Sequence, residues 1–110
     1  MIYQRGEIVI SSIGGINGKP RPWVVIQNNL LNSNLFTILA APITSEVKIE
    51  QEDFRIILKP NDTNNLKQHS QVMLDRISVL EKKKIIDKIG VLDIKEMRIL
   101  NQALAFVLGF

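Results

Sequence analysis

The sequence predicts a mainly β fold, in which a small antiparallel barrel is followed by one C-terminal helix. Roughly six short runs of β-branched and aromatic residues are separated by segments rich in glycine, proline and asparagine, as expected for strands joined by turns. Only the last stretch of the chain has the three- and four-residue apolar spacing of a helix. An open sheet of this size would leave both edges unprotected, so a closed and strongly curved sheet is favoured.

Length and composition are those of one globular domain. A chain of 110 residues buries about two-thirds of its extended surface on folding, which supports a single core and one domain over residues 1–110. Hydrophobic residues make up 45% and charged residues 23% of the chain, which excludes disorder and low complexity. Because the chain has no cysteine and one histidine, a disulfide scaffold, a thiol nucleophile and a structural zinc site are excluded.

Charge and hydropathy indicate an anionic partner and no membrane. The formal net charge of +3 is a mild excess that favours anionic partners. The first residues lack the apolar stretch of a signal peptide, and the longest apolar run, LFTILAAPI, is about half as long as a membrane span. We therefore expect a soluble, cytoplasmic protein.

The N-terminal part predicts a strand followed by a long loop. The first apolar stretch, Glu7 to Ser11, is bounded by Gly6 and by the Gly14-Gly15 pair, as a short strand is. A strand is therefore predicted at residues 6–12. Residues 13–22 read IGGINGKPRP, and their glycines and prolines block regular structure. This segment is expected to be an exposed loop.

Two apolar strands follow in the middle of the chain. Residues 23–27 and 36–41 are β-branched or aromatic runs, and the asparagine-rich residues between them indicate turns. Pro42 cannot donate a ladder hydrogen bond and is expected at an edge or at the end of its strand. Residues 43–45 would then enter a second loop.

Three more strands and one helix complete the prediction. Strands are predicted at residues 54–58, 72–80 and 85–91, and the polar residues 59–69 have the composition of a surface turn. Asp93 and Glu96 form a capping-box pattern that begins a helix of about fifteen residues. Apolar residues recur along that helix at three- and four-residue steps: Ile94, Met97, Leu100, Leu104, Val107 and Leu108.

Arg21 is a candidate for phosphate binding. It lies between Pro20 and Pro22, and each proline fixes its own φ and restricts the residue before it, so the guanidinium is better positioned than that of an ordinary surface arginine. The alternative is a stiff turn in which Lys19 and Arg21 are simply solvated.

Two further pairs of residues could contact a ligand. Thr44 and Ser45 follow an apolar strand and could bind a phosphate oxygen, or merely form a local turn with their own backbone. Asp75 and Arg76 interrupt an apolar strand and would point to opposite faces. One of them could face a site or partner, or both could protect an edge strand from aggregation.

The other charged groups are ordinary surface features at this stage. His69 lies in a polar turn without an orienting carboxylate. Glu50, Glu52 and Asp53 are most simply a solvated strand entry. The lysines at 82–84 could contact a nucleic-acid backbone but are more simply an exposed cluster.

The order of the segments is more specific than any one of them. RGEIVI is followed by a glycine-rich loop ending in KPRP, then by WVVIQN, LAAPITS, VMLDRISVL, KIGVLD and the helix. In this order and spacing the chain resembles the MazF/PemK family of toxin ribonucleases. The resemblance implies an SH3-like, PemK-type barrel with a C-terminal helix, a homodimer, an antitoxin partner with an acidic and partly disordered segment, and metal-independent cleavage of single-stranded RNA with no cofactor.

The resemblance also implies roles for particular residues. Arg21 and Thr44 match the family's central catalytic residues, and Asp75 matches an acidic residue that contacts substrate or transfers a proton in some members. The predicted RNA-binding residues are Lys19, Ser45, Lys48 and Arg76.

The implied reaction is attack by the RNA 2′-hydroxyl on the adjacent phosphate, which leaves a 2′,3′-cyclic phosphate and a 5′-hydroxyl. Because DNA lacks that hydroxyl, it could bind but not react. The transition state carries extra negative charge, which a fixed guanidinium at Arg21 and a hydroxyl at Thr44 would stabilise. Asp75 is the first candidate for general base and His69 the second.

The chain departs from the family pattern in two places, and two alternatives stay open. The first loop, GGINGKP, has no acidic residue, so the family's loop contacts to RNA or antitoxin are not carried over to this chain. The later strand reads DRISVLE, so the family's cleavage specificity and the role of Asp75 are not carried over directly either. One alternative is an inactive barrel that acts as a binding or regulatory module. The other is a gyrase-poisoning toxin, suggested by the FVLGF terminus, although the tryptophan expected there is missing.

Overall fold

The computed structural model describes residues 2–12 and 19–110 of the chain. The part of the predicted loop at residues 13–18 lies outside this range. Within the described residues there are seven strands: β1 Glu7–Ser11, β2 Arg21–Val25, β3 Thr37–Thr44, β4 Arg55–Leu58, β5 Ser70–Met73, β6 Ser78–Glu81 and β7 Ile85–Val91. The α-helices are the short α1, Asn29–Asn32, and the long α2, Ile94–Leu108; short 3₁₀ turns occur at Ile49–Gln51, Leu74–Arg76 and Lys82–Lys84.

The strands form one strongly connected antiparallel sheet. The strand order is β4-β5-β3-β2-β1-β7, and β6 also pairs with β3. Two register shifts between β1 and β7, beside Ile8 and beside Ser11, bend the sheet in the way that bulges do. The predicted antiparallel barrel with a C-terminal helix is confirmed.

Each face of the sheet carries a buried apolar cluster. Neighbouring residues on a strand point to opposite faces, so Ile8 packs in one cluster and Val9 in the other. The first cluster includes Leu100 and Ala103 of α2, and the second is built around Trp23, which is 1% exposed. The helix therefore covers the first cluster, and in the second cluster Tyr3 and Ile85 pack with the strand residues around Trp23.

The ends of α2 are those that the sequence predicts. Asp93 accepts a hydrogen bond from the Glu96 backbone at 2.7 Å, and Glu96 accepts one from the Asp93 backbone at 2.9 Å. At the other end Gly109 has φ 82°, a left-handed conformation that glycine adopts without strain. The helix spans the expected fifteen residues, although Ile94 and Leu108 at its two ends are exposed rather than packed.

Glu96 also fixes the polar turn at residues 59–69 against the start of α2. Its side chain accepts hydrogen bonds from the amides of Asn61 and Asn64. Asn64 is fully buried, and its amide also donates to the Lys59 carbonyl at 2.9 Å. A Cβ at Gly90 would lie 2.5 Å from the Asn64 carbonyl oxygen, so glycine is required there. We call this group, Asn61, Asn64, Gly90 and Glu96, the anchor.

The predicted strand at residues 72–80 is wrong as a single element. The chain leaves β5 at Met73, makes a 3₁₀ turn over Leu74–Arg76 and re-enters the sheet as β6. The turn lets both β5 and β6 pair with β3. Asp75 and Arg76 therefore lie on a turn, not on opposite faces of a strand, and the sheet has one strand more than predicted.

The boundaries of β2 and β3 also differ from the prediction. Arg21 and Pro22 belong to β2, where they pair with Ser11 and Ile10, rather than to the preceding loop. Pro42 lies inside β3, not at its end. This is tolerated because pairing with β6 stops at Ala40 and pairing with β5 starts at Ile43, so no ladder hydrogen bond from Pro42 is required on that side.

Two smaller features complete the fold. The asparagine-rich segment between β2 and β3 contains α1 in addition to turns, because the Asn28 side chain caps its first residues. No helix within residues 2–12 and 19–110 is both long enough and apolar enough to cross a membrane.

Candidate active site

Arg21 and Thr44 come together at the ends of two paired strands. Strands β2 and β3 pair with Trp23 opposite Pro42, and the same antiparallel register carried two residues further places Arg21 opposite Thr44. Residues opposite each other in such a pair have neighbouring side chains. The sheet therefore joins two residues that are 23 positions apart in the chain.

These two residues line two adjoining clefts. The large cleft has a volume of about 480 Å³ and apolar walls from Ile10, Pro22, Ile43, Leu66 and Ile89, with polar groups that include Ser45 and Gln68. The small cleft has a volume of about 120 Å³ and is lined by Arg21, Thr44, Glu46, Lys48, Arg55, Met73 and Arg76. An apolar space thus adjoins a strongly charged one, with Arg21 and Thr44 between them.

The small cleft carries an excess of positive charge. Four of its lining residues are cationic and one, Glu46, is acidic. Arg21 is half-buried, and its guanidinium makes no hydrogen bond or ion pair with any described residue. A half-buried guanidinium without a partner is suited to an anionic ligand such as a phosphate.

The Thr44 hydroxyl accepts a hydrogen bond within a local turn, and its proton is available to a ligand. Its hydroxyl oxygen accepts a hydrogen bond from the Glu46 backbone at 3.1 Å, which is the local turn that the sequence left as an alternative. This bond uses an acceptor site and fixes the oxygen. The hydroxyl proton has no acceptor within the described part of the chain, so Thr44 can still donate to an oxyanion.

Asp75 is occupied by Arg55 in a two-pronged ion pair. The Arg55 Nε donates to Asp75 Oδ1 at 2.8 Å, and its Nη2 donates to Oδ2 at 2.9 Å. These hydrogen bonds from Arg55 lower the pKa of the Asp75 carboxyl, and the positive charge of Arg76 lowers it further. A carboxylate with a lowered pKa and both oxygens engaged is a poor general base near neutral pH.

Gln71 holds the segment that carries Lys48. Gln71 is fully buried on β5; its Oε1 accepts from the Lys48 backbone and its Nε2 donates to the Lys48 carbonyl, both at 3.0 Å. Two hydrogen bonds from one buried amide fix the backbone of Lys48 beside the small cleft, although its side chain is exposed.

The structure gathers most of the predicted site residues. Arg21, Thr44, Lys48 and Arg76 share the small cleft, and Ser45 lines the large one. Asp75 reaches the small cleft only through Arg55, and Lys19 is exposed and lines neither cleft.

The remaining candidates lie away from the clefts. His69 is exposed, and neither Glu50 nor Glu52 contributes to either cleft. Of the lysines at 82–84, Lys82 donates to the Asn32 carbonyl and Lys83 forms an ion pair with Glu81 at 3.7 Å. These lysines thus have local structural contacts.

Sequence reasoning missed Arg55 and Gln71. Both are polar residues inside β4 and β5, at positions with buried neighbours. The sequence signal that could have found them is a long polar side chain within a short apolar strand. A buried polar side chain needs hydrogen-bond partners, so such a position indicates a specific polar contact.

Fold and site together define a class of protein: a small antiparallel barrel that presents a cationic, phosphate-sized cleft beside an apolar one. The chain belongs to the family of PemK-like, MazF-like toxins of type II toxin-antitoxin systems, whose model matches residues 4–108. The family suggested by the order of the segments is therefore confirmed.

Individual relatives agree over nearly the full length. The chain is 26% identical over 112 aligned residues to the endoribonuclease MazF of Staphylococcus saprophyticus, covering 98% of this chain and 92% of that protein. Among solved structures it is similar to an endoribonuclease in complex with its cognate antitoxin from a mycobacterial species, with a TM-score of 0.81, 26% identity and coverage of 98% and 96%. It also shares its fold with a MazE-MazF complex from Deinococcus radiodurans, with a TM-score of 0.76, 16% identity and coverage of 100% and 98%.

Proposed function

We propose that this protein is a sequence-specific, metal-independent endoribonuclease that cuts single-stranded RNA. The observation that carries the proposal is that Arg21, whose guanidinium has no partner among residues 2–12 and 19–110, lines a cationic cleft together with a hydroxyl donor, Thr44. Membership in the toxin family supports it, and two relatives are named endoribonucleases.

The proposed reaction is an in-line transfer at one phosphate. The 2′-oxygen forms a bond to phosphorus and the bond from phosphorus to the 5′-oxygen breaks, which leaves a 2′,3′-cyclic phosphate. The 2′-hydroxyl loses its proton and the departing 5′-oxygen gains one. Negative charge grows on the phosphoryl oxygens during this step, and Arg21 and Thr44 stabilise it from opposite strands.

The two clefts divide the substrate between them. The small cleft holds the phosphoryl group, and the large cleft, with apolar walls and amide groups at its rim, takes an adjoining nucleoside. Unstacked bases of single-stranded RNA fit such a surface, whereas the bases of a duplex are stacked and shielded. Lys48, Arg76, Ser45 and Lys19 are the proposed contacts to the flanking backbone.

The protein is proposed to have two protein partners, a second copy of itself and an antitoxin. We propose a homodimer and an antitoxin with an acidic segment that covers the cationic cleft, acting in the cytoplasm where cellular RNA is the substrate. The net charge of +3 and the excess of cations at the small cleft favour an acidic partner. The similarity to solved structures described as antitoxin and MazE-MazF complexes supports the same partner.

The test is cleavage of a long, weakly structured RNA by the purified protein in EDTA, with the new 5′-ends mapped. We expect discrete cuts that leave 5′-hydroxyls, no cuts in DNA of the same sequence, and loss of cleavage in Arg21→Ala. Arg98→Ala is the matched control, because Arg98 is an exposed arginine on α2 away from both clefts. Uncut RNA from a folded wild-type protein would refute the proposal and favour a binding module.

A further inference from the structure

Arg55 is a buried cation at the wall of the small cleft. Its side chain is only 6% exposed, and its guanidinium carbon lies 6.0 Å from the centre of the Phe54 ring. Burial of a guanidinium is costly unless its charge is paired and its donors are used. The orientation of this group is therefore strongly fixed.

The ion pair with Asp75 leaves one donor nitrogen of Arg55 without a partner among the described residues. Asp75 accepts from Nε and Nη2, and within the described residues Nη1 has no hydrogen-bond partner. Nη1 is not fully buried either, because the only fully buried side-chain polar atoms without a partner in the described residues are Trp23 Nε1 and Gln51 Oε1. Because Arg55 lines the small cleft, Nη1 is the part of the guanidinium that a ligand in that cleft can reach.

Asp75 accounts for this orientation. It is two residues beyond Met73, which pairs with Arg55 in the β4–β5 register, and the 3₁₀ turn brings its carboxylate alongside the guanidinium. A two-pronged carboxylate fixes the plane of an arginine side chain as well as its position. The ion pair thus presents Nη1 in one direction.

The small cleft has the size of one phosphoryl group. Its volume of about 120 Å³ is several times the roughly 30 Å³ that one water molecule occupies in the liquid, so it accommodates a group of a few heavy atoms. Arg21 and Thr44 line the same cleft as Arg55. An anion bound there would therefore lie near all three side chains.

We propose that Arg55 is a second guanidinium for the phosphoryl group bound by Arg21 and Thr44, and that Asp75 is the positioning residue that holds Arg55. Asp75 is then not the general base. This inference rests on the proposed function and names two further residues of the same site.

The first experiment measures binding, which does not depend on cleavage. The probe is an RNA oligonucleotide containing the cleavage site with a 2′-deoxy nucleotide at the attacking position, titrated at several salt concentrations. For Arg55→Met we expect weaker binding and a salt dependence whose log–log slope is reduced by about 0.7, the value for one lost phosphate contact on a single strand. Lys88→Met removes a cation from an ion pair with Glu7 elsewhere and should leave this slope unchanged.

The second experiment separates positioning from proton transfer at Asp75. Asp75→Asn should lower the cleavage rate only by about tenfold and keep the acidic limb of the pH–rate profile, whereas loss of a general base costs about 10²–10⁴-fold and removes that limb. Asp75→Glu should restore part of the rate. The double variant Arg55→Met with Asp75→Asn should be no slower than Arg55→Met alone, because the two residues act as one unit.

An unchanged salt slope in Arg55→Met, or a lost acidic limb in Asp75→Asn, would overturn the proposal. If Arg55→Met does not fold, Arg55→Lys keeps the charge without the planar fork, and wild-type cleavage by that variant would overturn the proposal equally. If the wild-type protein cuts no RNA, the proposed function fails, and the same titrations with an unmodified, weakly structured RNA oligonucleotide still report on Arg55.

Discussion

Two polar regions of this molecule differ in how completely their hydrogen bonds are made. In the anchor, the Asn64 amide donates to both Glu96 and the Lys59 carbonyl, and its oxygen accepts from the backbone of Asn61 and Leu66. In the small cleft, Arg21 has no partner within the described residues, and Arg55 keeps one donor open.

The difference separates structural polar groups from functional ones. A buried polar group with all its hydrogen bonds made stabilises the fold, whereas donors left open beside a cleft are available to a ligand. Substitutions in the anchor should therefore lower stability and spare the chemistry. Substitution of Arg21, which has no partner among the described residues, should instead lower activity and leave stability nearly unchanged.

The largest expected effect is on activity at Arg21. Arg21→Gln should lower RNA cleavage by about 10²–10³-fold, because it removes a charged donor to the transition state. Its free energy of unfolding should stay within about 0.5 kcal/mol of wild type, as for surface changes that break no contact. Cleavage kinetics and urea unfolding of one preparation test both halves. A large loss of stability would contradict the distinction between the two regions.

The next largest effect is on stability at Gly90. Gly90→Ala places a Cβ 2.5 Å from the Asn64 carbonyl oxygen and 2.6 Å from that of Thr63, and should lower the free energy of unfolding by about 1–3 kcal/mol. Gly109→Ala is the matched control: its φ is also unfavourable for alanine, but nothing lies within 4 Å of its Cβ position. Urea unfolding should rank Gly90→Ala as the less stable variant, with cleavage per folded molecule unchanged.

A smaller effect is expected at Glu96. Glu96→Ala removes the acceptor for the Asp93 backbone and for two asparagine amides and should lower the free energy of unfolding by about 1–2 kcal/mol. Glu50, in the first turn of an exposed 3₁₀ helix, supplies a control in Glu50→Ala. Equal stabilities of the two variants in thermal or urea unfolding would show that the anchor contributes nothing beyond an ordinary surface.

The smallest effect is a pH dependence at Asp75. Its pKa is lowered in the folded protein, mainly by Arg55, so the ion pair adds stability above the unfolded pKa near 3.9 and loses it as the pH falls through the folded value. The stability of wild type relative to Asp75→Asn should decline over this acidic range. A change of about 1 kcal/mol or less is expected because the carboxylate is one-third exposed. A gap in unfolding free energy that is constant from pH 7 to below pH 3 would contradict the ion pair.

Elements with a strong local pattern could be predicted from the sequence. The bounds of β7 and α2, with the capping box at Asp93, follow from periodicity and capping residues that neighbours in the chain supply. Arg21 and Thr44 could be chosen as candidates through the order of the motifs around them. Pairing between distant strands could not be predicted in the same way. The strand predicted over residues 72–80 is in fact two strands, because its two parts pair with different stretches of β3.

The sequence by itself determined the mainly β composition of the fold, the C-terminal helix and the cationic residues available to a site. Only the tertiary structure decided which of these residues meet. Arg21 and Thr44 share two clefts and Arg55 reaches Asp75 because pairing places β2 beside β3 and β4 beside β5. The physical reason is that helix periodicity and capping depend on residues within a few positions, whereas the register between strands depends on the packing of distant apolar side chains.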